Sequence, residues 1–157
     1  MDIAADIAAE LADEWLPSLY QDKIRSQRTR SISIDVPAKL NLTEIQYTLL
    51  GIELKVGKVR FASPDLASAR YMRVFARIGC AEFAIPYDIT KISAAADELE
   101  TSWQHSLLLL ESKAADRSSR VLSSLRNKLT TTVRNEINEI GPGELMPVFE
   151  RQTRQRS

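Results

Sequence analysis

The chain has 157 residues, with 21 Lys and Arg balanced by 21 Asp and Glu, one cysteine and one histidine. This neutrality gives no overall basic field for nucleic acid, so phosphate contacts are left to local basic stretches. A single cysteine excludes an intrachain disulfide. One cysteine with one histidine excludes a Cys/His zinc centre within one chain, and the longest apolar runs are far too short to span a bilayer.

Asp2 to about Leu16 reads as an amphipathic helix, with Ile3, Ile7 and Leu11 at helical spacing among acidic residues, and Pro17 breaks or restarts it. Leu19 to Arg28 continues as a second helical piece. Ser31–Val36 is a strand. Leu40 to Leu50 admits two readings. Thr43 and Gln46 suit a capping box, but Ile45, Tyr47 and Leu49 alternate and Gly51 interrupts any helix, which favours the strand. In the next strand Ile52, Leu54 and Val56 face one way. Glu53 and Lys55 face the other, one pleat apart. Val56-Gly57-Lys58-Val59 is a turn or bulge, and Val59 and Phe61 extend the pairing.

Ser63 suits an N-cap and Pro64 a first helical position, and Gly79 is placed to end that helix. Tyr71, Val74, Phe75 and Ile78 share one of its faces; Arg70, Arg73 and Arg77 share another. Cys80 to Tyr87 returns as a strand, which predicts a right-handed crossover onto a shared sheet. Cys80 reads as a small core residue. Beyond it, Ser93 caps a helix whose stripe runs through Ile92, Ala96, Leu99, Trp103, Leu107 and Leu110. A second stripe passes through Val121, Leu125, Leu129, Val133 and Ile137 to Gly141-Pro142-Gly143. Unbroken, this helix is about 70 Å long, so it is expected to fold back as a hairpin or to pair with another copy.

The Leu50–Tyr87 stretch, with Glu53-Leu54-Lys55 closing a strand ahead of a helix and a further strand, resembles the core of the PD-(D/E)XK nuclease superfamily. The resemblance implies an α/β fold, a restriction-endonuclease-like mixed sheet flanked by helices, with the C-terminal helical arm or hairpin added. It divides the chain into a nuclease-like core (1–90), an arm for oligomerisation or DNA contact (91–140) and a flexible basic tail (141–157). The family's acid-x-lysine motif falls on Glu53 and Lys55, its preceding aspartate on Asp35, and its N-terminal glutamate on Glu10 or Glu14. Glu44 is a rival to Asp35.

The activity implied is metal-dependent hydrolysis of DNA phosphodiesters. Mg²⁺ or Mn²⁺ takes oxygen ligands, here expected from Asp35 and Glu53 on adjacent strands and from the Leu54 carbonyl. Lys55 is expected to orient the attacking water or to offset developing negative charge. Arg28, Arg30, Lys58, Arg70, Arg73 and Arg77 are candidate DNA contacts, which position a backbone without specifying sequence. A homo-dimer or homo-tetramer is expected, because one active site cuts one strand. The acidic start lacks the basic and apolar regions of a signal peptide. With the lone cysteine, it points to a reducing, cytoplasmic setting. The alternative is a non-catalytic interaction or nucleic-acid-binding protein that oligomerises through its C-terminal helices.

Overall fold

The computed structural model describes residues 2–36 and 42–143. Helix α1 spans Ile3–Leu11, with the Asp2 carboxylate accepting from the Ala4 and Ala5 amides. It stops short of the expected Leu16. Ala12 turns into a positive-φ conformation, a short 3-10 turn follows, and Trp15 is extended. The Trp15 indole donates to Glu136 at 3.1 Å. Pro17 then sits in the first turn of α2 (Leu16–Leu19), where its missing amide costs nothing. The coil continues as a π-turn, Tyr20–Ile24.

Five strands follow: β1 (Thr29–Ser33), β2 (Thr43–Thr48), β3 (Gly51–Val56), β4 (Val59–Ser63) and, after helix α3 (Leu66–Ile78), β5 (Glu82–Pro86). They form two separate antiparallel sheets, β1-β5 and the meander β2-β3-β4. The fold is therefore mixed α/β, as expected, but the single mixed sheet is not formed. Nor does the β4–α3–β5 passage cross over onto a shared sheet.

A pair of buried tyrosines accounts for the separation. Ala81, Phe83, Ile85 and Tyr87 exchange backbone bonds with β1 or its continuation, so Ala84 points its amide and carbonyl to the opposite edge. There the Ala84 amide donates to the Tyr20 hydroxyl at 2.8 Å, and the Tyr71 hydroxyl donates to the Ala84 carbonyl at 2.6 Å. Pro86, also on that edge, has no amide to offer. Two side chains thus take the positions of a neighbouring strand. The Tyr20 hydroxyl in turn donates to the Gly141 carbonyl at 2.9 Å.

Asp65 caps α3 by accepting from the Ser68 amide at 2.7 Å, and Gly79 ends the helix in the left-handed region. Ser63, the expected cap, is the last residue of β4, and its hydroxyl donates to the Asp65 carbonyl. The inner faces of β2, β3 and β4 pack on α3, with Leu54 and Val56 buried. Helix α4 (Ile92–Lys113) starts before Ser93, because a 3-10 turn capped by Asp88 has already begun the winding. Helix α5 (Ser119–Ile140) is capped by Ser118. The long apolar pattern does fold back as a hairpin. Leu129, Val133 and Ile137 bury within the same hydrophobic cluster as α1, α2, α3 and β5. Those stripes are covered by the chain's own core except at the start of α5, where Val121 is exposed. Residues 144–157, including the expected basic tail beyond Gly143, lie outside the described residues. Among the described residues, no helix is long and apolar enough to cross a membrane.

Burial pushes the Cys80 thiol from 9.0 up to about 12, and pushes both the Tyr20 and the Tyr71 phenols above 10.0. Each folded value lies above the unfolded one, so the unfolded chain releases these protons first. The stability is whole below about pH 9, and is lost as pH rises through the folded values. The expected result is a thermal midpoint that is level near neutrality and falls steadily above about pH 9 in circular-dichroism melts. A midpoint unchanged to about pH 11 would contradict the burial of all three groups.

Candidate functional site: the outer face and free edge of the β2-β3-β4 sheet

Alternation places Glu53 and Lys55 on the outer face of β3, as the sequence implies, and both are half-buried. Direct cross-strand pairing then builds two rows. Glu44 of β2, Lys55 and Arg60 of β4 form one; Gln46, Glu53 and Ala62 form the other. Two carboxylates and a lysine therefore share one sheet face, with the acid on β2 being Glu44. Leu54 turns its side chain into the core.

The remaining expected ligands stand elsewhere. Asp35 is exposed just past the end of β1, in the other sheet, so it is not on a strand adjacent to Glu53. Glu10 lies 3.8 Å from the Lys113 ammonium, and Glu14 is 4.0 Å from the His105 ring. Among the described residues, no group of three or more His, Cys, Asp or Glu side chains is arranged to hold a metal ion. The Asp35–Glu53 donor set expected for Mg²⁺ or Mn²⁺ does not fit this arrangement.

The arginine face of α3 is turned inward. Arg70 donates to Asp97 and to Glu100 of α4, and Arg73 reaches Glu100 at 3.4 Å. The hydrogen bonds to Asp97 and then Glu100 hold the Arg70 guanidinium even more firmly in its charged form. Arg77 donates to the Thr43 hydroxyl at 3.0 Å, and burial pulls its pKa down. These three guanidinium groups tie α3 to α4 and β2. Arg28 stacks 4.1 Å over the Tyr87 ring, and Arg30 and Lys58 are exposed. A shallow cleft of about 270 Å³ between Leu19, Lys23, Ser102 and His105 carries only exposed ion pairs, Lys23–Glu98 at 3.1 Å among them. Exposed pairs of this kind contribute about 0–1 kcal/mol each.

One feature of the site escaped the sequence reading. The β2–β3 turn is Leu49-Leu50, and both side chains stand fully in solvent (106% and 100% exposed), beside Tyr47 at 72%. Leu42, just before β2, is 91% exposed. The Thr48 hydroxyl closes the turn, accepting from the Leu50 amide and donating to the Gly51 carbonyl. Two leucines in a hairpin turn, where polar residues and glycine are usual, were the available signal. Searches against protein-family models, curated proteins and solved structures found no match to this chain.

Proposed function

We propose that this chain is a non-catalytic protein-interaction module whose working surface is the hairpin sheet. The observation that carries the reading is the exposure of Leu42 at one end of β2 and of Tyr47, Leu49 and Leu50 at the other, four large apolar side chains left in water along one edge strand. Exposure of this kind on a folded chain marks a surface that a partner covers. The absence of a three-ligand cluster among the described residues and the internal pairing of Arg70 and Arg73 leave fewer groups for a catalytic or phosphate-binding reading. The test is a photo-crosslinking amino acid placed at Leu49, with one at the exposed Ser124 of α5 as control, in cells that make the protein. The expected result is a higher-mass adduct from position 49 and none from position 124. No adduct from position 49 overturns the reading.

A second reading keeps the nuclease chemistry, and the Glu44–Lys55 pair with Glu53 on the same face is what favours it. In that reading Glu44 takes the place expected of Asp35. Cleavage of mixed DNA with Mg²⁺ or Mn²⁺, abolished by chelation and by Glu53→Gln, supports it; intact DNA under the same conditions overturns it.

A further inference from the structure

The two sheets have four outer edges, and they are treated differently. The outer edge of β5 is closed by Tyr20 and Tyr71, and Pro86 removes a donor. β1 is held against the Gly141–Gly143 segment, with Ser31 donating to the Pro142 carbonyl and Thr29 and Arg25 to the Gly143 carbonyl. β4 has no large apolar side chain in full exposure. Among the described residues β2 remains an open edge, with exposed apolar residues at both ends. An open, regular strand edge is a template for another strand.

We infer that β2 pairs antiparallel with β2 of a second copy of this chain, about a two-fold axis through Gln46. This rests on the interaction reading above and names its partner.

The backbone phase permits it. The Gly57 amide donates to the Leu42 carbonyl, so the even-numbered residues of β2 bond to β3. Thr43, Ile45 and Tyr47 therefore direct their amides and carbonyls to the free edge. A register centred on Gln46 sets Ile45 opposite Tyr47 of the second copy as a bonded pair, twice by symmetry. A β-branched residue facing an aromatic is a favourable cross-strand pair.

The side-chain pattern selects this register. Leu42 and the Leu49-Leu50 turn lie at opposite ends of β2, so the two-fold brings Leu42 of one copy to the hairpin turn of the other. Leu49 falls opposite Thr43. The exposed apolar residues at the two ends of β2 then meet across one symmetric contact, as an isologous interface requires. The alternative register centred on Ile45 sets Leu42 opposite Thr48, so Leu42 gains no apolar partner. Charge is compatible as well. Glu44, the charged residue of β2, faces Thr48 of the second copy, so no like charges oppose.

Cysteine pairing reads the axis directly. In the free-edge ladder Gln46 is a non-bonded pair with itself, with Cα atoms about 4.5 Å apart. That lies in the range of roughly 4.4–6.8 Å that a disulfide spans. The native Cys80 is fully buried and does not compete. The full chain is expected to run at twice its 17.7 kDa mass in light scattering. Under mild oxidation Gln46→Cys is expected to form a covalent dimer. Glu44→Cys alone is expected not to, but to crosslink when mixed with Thr48→Cys. Leu50→Asp, whose side chain is already in solvent, is expected to give a folded monomer. A monomer at all concentrations overturns the proposal, as does a dimer in which Gln46→Cys fails to crosslink. If the photo-crosslinker at position 49 captures a different protein while the chain itself is monomeric, the interaction reading stands and the self-pairing is overturned. If position 49 captures nothing, the interaction reading itself fails.

Discussion

Replacing Phe75 by alanine is expected to cost the fold about 3–5 kcal/mol. Phe75 is completely buried on α3 and stacks on Phe83 of β5, with ring centroids 4.2 Å apart and planes 4° from parallel. Tyr71 lies 5.2 Å away and Tyr20 packs edge-on at 5.7 Å. One ring therefore joins the π-turn, α3 and the β1-β5 sheet. Removing it withdraws that apolar surface and opens a void that flat, interlocked neighbours fill poorly. Urea unfolding followed by circular dichroism measures the loss. A decrease below about 1 kcal/mol is too small for a fully buried aromatic and would falsify this placement of the ring.

Tyr20→Phe is expected to cost about 1–3 kcal/mol, the penalty of leaving buried polar groups without partners. The hydroxyl accepts from the Ala84 amide and donates to the Gly141 carbonyl, so its loss orphans one buried donor and frees the chain end of α5. Tyr71→Phe orphans only the Ala84 carbonyl. Unpaired carbonyls are better tolerated than unpaired amides, so its effect is expected to be the smaller. The two changes meet on one residue and are expected not to add in the double variant. Amide exchange separates this account from a simple packing loss. Ala84 is expected to lose protection in Tyr20→Phe while its β1 neighbours Phe83 and Ile85 keep theirs. An unchanged Ala84 exchange rate would show that the phenol does not hold that edge.

Much of the local structure was legible because it depends on neighbours in sequence. The Glu53/Lys55 alternation, the helix ended by Gly79, the turn at Gly57 and the two apolar stripes of the C-terminal helices all follow from side-chain period and backbone preference. The hairpin sheet follows too, since each of its strands pairs with the next one along the chain. The expected metal set was not legible in the same way. Asp35 and Glu53 were placed together by assuming one sheet, and strand partnership between distant segments is not written in a local pattern. The arginines of α3 show the same limit. Their shared face was readable, but the acidic partners on α4 lie 27 and 30 residues away in sequence.

What the sequence determined by itself is therefore the approximate place of the main helices and strands, the apolar faces of α3 and α4 and the polar outer face of β3. Hydrogen-bond ladders between adjacent segments and the burial of apolar stripes are sufficient for that. The tertiary structure alone decided which edges close. Tyr20 and Tyr71 occupy the free edge of β5, because a buried amide and carbonyl must have partners and the two phenols supply them. It also decided that the C-terminal stripes are met by the chain's own core, and that β2, flanked by Leu42, Leu49 and Leu50, is left open.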